Sequence, residues 1–123
     1  MSEKKIGRKE TLDALRGVVE KFGPDTTYSD VFRDATGEEY GWDGCRYATD
    51  DGKPLCIVGQ ALAVLGLPFP EGNPNGGVVT YLENYYPDRF TLQAFHVLGR
   101  AQYVQDQGGQ WGDALRAAEE ECA

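Results

Sequence analysis

The sequence predicts a mainly α-helical single domain, 1–123, of four to five helices with one small β-hairpin. Three observations lead there. Apolar residues recur at helical spacing near both ends of the chain, as Leu12, Leu15, Val18, Val19 and Phe22, and as Ala94, Val97, Leu98, Ala101 and Val104. Asp51-Gly52, between two short runs, is a hairpin-turn signal. A chain of 123 residues that is 41% apolar is long enough to bury one core without metal or disulfide support.

Residues 1–7 read as a charged, frayed lead-in. The first helix is expected from Arg8 to Phe22 and is stopped by Gly23-Pro24. Gly17 inside it costs about 1 kcal/mol against alanine, so it is expected to admit a closely packed neighbour. Residues 27–36 place Tyr28, Val31, Phe32 and Ala35 on one face, with Thr27 or Ser29 as the cap. Residues 37–44 form a loop holding Tyr40 and Trp42.

The hairpin is expected at about 45–56. With Asp51-Gly52 as a two-residue tip, Asp50 faces Lys53 and Tyr47 faces Cys56. Pro54 confines the second strand to an edge. A buried central helix follows at about 55–66, apolar on nearly every side with Gln60 as its one polar residue. Residues 66–77 form the longest loop, with four glycines and three prolines. Loops of this kind in small domains are often functional. A short helix from Val78 to Tyr86 sets Tyr81 and Tyr85 four residues apart, and Pro87 ends it. The chain closes with an αα-hairpin, about 91–107 and 111–121, broken at Gly108-Gly109.

Charge narrows the partners. The net charge is −8. Residues 1–22 carry six Lys/Arg and four Asp/Glu, while the rest carries six against sixteen. An acidic body argues against direct nucleic-acid binding, which needs clustered Lys and Arg. It suits a basic protein partner, including one that itself binds nucleic acid. No stretch reaches the roughly 18 apolar residues of a membrane span, and the N-terminus lacks an apolar signal core. The expected location is therefore cytoplasmic, with reduced thiols.

The residues that bear chemistry are few. Cys56, near the N-terminus of the central helix, and His96, the lone histidine, are the only candidates for a nucleophile and its base. Their flanks match no cysteine-hydrolase signature. His96 shares a polar helical face with Gln93, Arg100, Tyr103 and Gln107. The spacing of Cys45, Cys56 and Cys122 lacks the close ligand pairs of structural zinc, so neither metal nor cofactor is expected. A Cys45–Cys56 disulfide would join diagonal hairpin positions about 7–8 Å apart, too far for a relaxed bond. The loop aromatics point more clearly to function. Tyr40, Trp42, Phe69, Tyr81 and Tyr85 are the candidate binding residues, because Tyr and Trp concentrate at interface hot spots.

Cys45 and Tyr47, Gly52 to Leu62, Leu65-Gly66, and Gln102 to Leu115 carry a pattern, Cys-x-Tyr, Gly-x-Pro-x-Cys-Ile-Val-Gly-x-Ala-Leu, Leu-Gly and Gln-x-x-Gln-Asp-x-Gly-x-x-Trp-x-x-Ala-Leu. Over roughly residues 45–118 it resembles small uncharacterised proteins of actinobacteria and their phages. The resemblance implies a compact helical domain and a genomic setting, and no activity. The reading that follows is a small acidic binding or regulatory protein, a phage accessory factor that engages a host protein, and not an enzyme. Two alternatives stay open: a small-molecule or Cys-dependent site near Cys56 and the 66–77 loop, and a virion or structural component.

Overall fold

The computed structural model describes residues 5–37, 46–49, 51–70 and 77–121. Six α-helices lie among them: α1 (Arg8–Phe22), α2 (Tyr28–Thr36), α3 (Ile57–Val64), α4 (Val78–Tyr85), α5 (Leu92–Asp106) and α6 (Trp111–Glu120). Four to five helices were expected. Three of the six, α2, α3 and α4, are short, with nine, eight and eight residues.

Local chemistry fixes the helix starts. Thr27 and Asp30 form a reciprocal capping box on α2, each side chain accepting the other's backbone N–H at 3.4 Å. Thr91 Oγ1 caps α5 by accepting from Ala94 N at 3.2 Å. Cys56 Sγ caps α3, accepting from Gly59 N at 3.3 Å. Gly37 ends α2 with φ 75°, a conformation cheap only for glycine.

The expected β-hairpin is not present, and no strand occurs among the described residues. One isolated antiparallel bridge, Ala48 to Pro54, stands in its place. Backbone bonds run from Thr49 N to Lys53 O (2.8 Å), Leu55 N to Tyr47 O (2.9 Å) and Cys56 N to Arg46 O (3.1 Å). Pro54 has no N–H to extend the ladder, and the chain turns into α3 two residues later. The register also differs by one. Thr49, not Asp50, faces Lys53, and Tyr47 faces Leu55, not Cys56. A slip of one residue inverts the faces, and this register puts both Tyr47 and Leu55 in the core.

The core is organised around α3, which packs on α1 and α5, while α6 packs on α1 and α5 and α4 on α5. Ile57 to Leu62 are all buried, so the central segment has no polar face to give to solvent. Trp111, fully buried, meets the Phe22 ring edge-on at 5.3 Å. Its helix is anchored to the α1–α2 turn by Trp111 N to Thr26 O (2.7 Å) and Gly112 N to Pro24 O (2.9 Å). The lead-in is not frayed throughout. Ile6 lies parallel to Phe90, donating to Arg89 O (2.7 Å) and accepting from Thr91 N (3.0 Å). Gly17 has nothing within 4 Å of an added Cβ, so the close helix neighbour expected there is absent.

Candidate functional site

Tyr47, Tyr81 and Tyr86 build an aromatic column from the core outward. Tyr47 stacks on Tyr81 with centroids 3.8 Å apart and rings 18° from parallel. Tyr81 is only 2% exposed. Its contact surface is thus spent inside the fold, which corrects its expected place as a surface anchor. The Tyr81 and Tyr86 rings lie 6.0 Å apart, and the Tyr86 hydroxyl donates to Pro68 O at 2.7 Å. Burial pushes both phenols up from their ordinary value, since a phenolate is poorly solvated there.

The bond from Tyr86 to Pro68 ties the 67–70 arm to the end of α4. Between them lies a cleft of about 370 Å³, lined by Pro68, Phe69, Pro70, Tyr85, Pro87 and Arg89 among others. It brings together two of the sequence-predicted binding residues, Phe69 and Tyr85. Phe69 is half-buried, and Tyr85 is 42% exposed at the rim. Three prolines fix φ around the cleft, so its walls have little backbone freedom to lose on binding. Between the lining residues Pro87 and Arg89 the chain turns at Asp88, whose φ of 62° is left-handed backbone that Asp tolerates better than most residues. Tyr40 and Trp42 lie outside the described residues, as do Cys45 and Cys122.

Cys56 and His96 are not brought together. Cys56 is a free thiol with 0% exposure, engaged in capping α3. His96 is exposed on α5, and no hydrogen bond links the two. His96, Arg100 and Tyr103 form an exposed stripe, with the Arg100 guanidinium 5.5 Å from the Tyr103 ring centre. Among the described residues, no cluster of three His, Cys, Asp or Glu side chains is placed to hold a metal ion. No described helix is long and apolar enough to cross a membrane.

A second cleft, of about 270 Å³, lies where the ends of α1 and α2 meet the start of α3, with Gln60 in its lining. The sequence marked Gln60 only as the lone polar residue of an apolar run. Its neighbours Lys21, Asp34 and Lys53 come from three separate segments, which spacing along the chain does not connect.

The chain matches no family model, no curated protein and no solved structure.

Proposed function

We propose that this chain is a small acidic binding protein, cytoplasmic and non-enzymatic, whose contact with a basic protein partner is centred on the Phe69–Tyr85 cleft. The observation that carries the reading is the cleft itself. A half-buried Phe and an exposed Tyr face each other across proline-stiffened walls, held in place by the Tyr86–Pro68 bond. Such a cleft accepts an apolar or aromatic anchor side chain, the commonest hot-spot arrangement. The surrounding charge selects the partner. Residues 23–123 carry sixteen acidic and six basic side chains, and exposed Glu83 and Asp88 flank Tyr85 along the chain. Complementary charge speeds encounter and rejects acidic competitors. The resemblance to actinobacterial and phage proteins supplies the setting, in which the partner is a host protein and this chain an accessory factor.

The test starts with affinity capture from an actinobacterial lysate and mass spectrometry, followed by calorimetry on the recovered partner. Tyr85→Ala and Phe69→Ala are each expected to weaken binding at least about tenfold, as hot-spot truncations do. Tyr103→Ala, on α5, is expected to leave it unchanged. Equal affinity for wild type and both cleft variants would overturn the reading.

A further inference from the structure

The Phe69–Tyr85 cleft is selective about the backbone it can take. Pro68, Phe69 and Pro70 line it from one segment, and Tyr85, Tyr86 and Pro87 from another. Main-chain donors are scarce there. The three prolines have no N–H. Leu67 N donates to Leu62 O (3.1 Å), Tyr86 N to Leu82 O (2.9 Å) and Arg89 N to Tyr86 O (3.2 Å). Tyr85 lies within α4, where each N–H bonds back one turn. A guest β-strand needs a row of free donors and acceptors along a sheet edge, and no strand occurs among the described residues. The guest must therefore bring a backbone that needs no ladder.

One side-chain donor is left over. Tyr85 is 42% exposed at the rim, and its hydroxyl has no hydrogen-bond partner among the described residues. It suits a carbonyl of the guest. A helical guest has its carbonyls bonded within itself, except in the last turn. A polyproline II segment has no internal hydrogen bonds, so its carbonyls are free. Its prolines pack in aromatic-lined grooves, and its conformation is set before binding, so little entropy is lost. Charge adds to the selection. Residues 66–91 carry three acidic side chains and one basic. Asp88, between the lining residues Pro87 and Arg89, is exposed and forms no ion pair among the described residues. Positive charge beside the guest's prolines complements this region.

Given that this cleft is the protein-binding site, we infer that the segment it takes is a basic polyproline II stretch, prolines with a Lys or Arg at the flank. The prolyl rings enter between Phe69 and Tyr85. The Tyr85 hydroxyl donates to a carbonyl of the segment, and the cation lies beside Asp88.

The test is an NMR titration of the full chain with a capped peptide of six prolines between two lysines. The controls are six alanines between two lysines and six prolines between two glutamates. The proline–lysine peptide is expected to saturate with a Kd on the order of 1 mM or tighter, moving the amide signals of Phe69, Tyr85 and Arg89. The alanine peptide must order on binding and lacks the rings, and is expected to bind at least about tenfold more weakly. The glutamate peptide is expected to bind at least about fivefold more weakly. Tyr85→Phe keeps the ring and removes the hydroxyl, and is expected to weaken binding about two- to tenfold. Asp88→Asn tolerates the left-handed backbone, and is expected to weaken binding about two- to fivefold and reduce its salt dependence. Absence of saturation, equal binding of the alanine peptide, or unchanged affinity in Tyr85→Phe would overturn the inference. The peptide needs no captured partner, so the two readings fail separately. A recovered partner that loses affinity in Phe69→Ala, with no binding of the proline peptide, overturns this inference and leaves the cleft a protein site.

Discussion

Gly59→Ala is expected to be among the most damaging single-methyl additions in this protein, while Gly17→Ala is expected to stabilise it. Both glycines lie inside helices, α3 and α1, where alanine is favoured by about 1 kcal/mol on intrinsic grounds. Packing reverses the sign at one of them. A Cβ on Gly59 would stand 2.0 Å from the backbone oxygen of Tyr47. Ordinary carbon–oxygen contact begins at about 3.3 Å, so the segments must part by more than 1 Å. The obstacle is backbone, not a side chain that can rotate away. Tyr47 O accepts from Leu55 N at 2.9 Å, and its ring is stacked on Tyr81. Overpacking of this kind costs about 1–3 kcal/mol, and a broken buried hydrogen bond adds about 1 kcal/mol. Set against the helical gain of about 1 kcal/mol, the net loss is about 1–3 kcal/mol. For a chain of this length that is a fall in Tm of roughly 4–12 °C, at roughly 4 °C per kcal/mol. Gly17→Ala has no such obstacle and should raise Tm by roughly 2–4 °C. Thermal and urea unfolding followed by circular dichroism measure both. Shifts of the same sign, or a Gly59→Ala variant as stable as wild type, would refute the close approach of α3 to Tyr47.

Three other outcomes follow from buried groups. Tyr81 and Tyr86 have native pKa values raised by burial, so stability should be unaffected by them below the unfolded value of about 10. Above it the unfolded chain sheds protons that the native state keeps, and stability falls by up to about 1.4 kcal/mol per pH unit for each such phenol. Urea titrations at rising alkaline pH should show this fall, and Tyr81→Phe should make it shallower; an unchanged slope contradicts the burial of that hydroxyl. In a Cys45→Ser, Cys122→Ser background, Cys56 should react with a thiol reagent only on unfolding, because its sulfur has no exposed surface; rapid labelling of the native protein would return the nucleophile reading to consideration. Gln105 Oε1 accepts from Ile57 N at 2.8 Å, joining α5 to the first turn of α3. Gln105→Leu should strand that buried N–H and cost about 1–3 kcal/mol by urea denaturation, and a neutral result would show that α3 does not depend on this link.

The helices were legible because their apolar stripes repeat within one segment. Leu12, Leu15, Val18 and Val19 are buried on α1 as their spacing requires, and Ala94, Val97, Leu98 and Ala101 are buried on α5. The hairpin misled for an equally local reason. Asp51-Gly52 does mark a turn, and Gly52 takes φ 87°. Whether paired segments become strands depends on what continues the ladder, and here Pro54 and the capping role of Cys56 end it at once. The glycines show the limit most clearly. Gly17 and Gly59 look alike in sequence, yet only Gly59 meets another segment's backbone.

The candidate sites divide along the same line. Phe69 and Tyr85 were conspicuous because each is an aromatic in or beside a proline-rich loop, and a hydroxyl at Tyr86 draws them onto one cleft. Tyr81 was equally conspicuous, but an aromatic at helical spacing serves the core when a second aromatic, Tyr47, arrives from elsewhere to cover it. Lys21, Lys53 and Gln60 gave the weakest signal because each has an ordinary explanation in its own segment. Lysines solvate a helix end or a turn, and one glutamine interrupts an apolar helix. Only the fold sets these three side chains around one apolar space. That convergence is what separates a site from a list of polar residues.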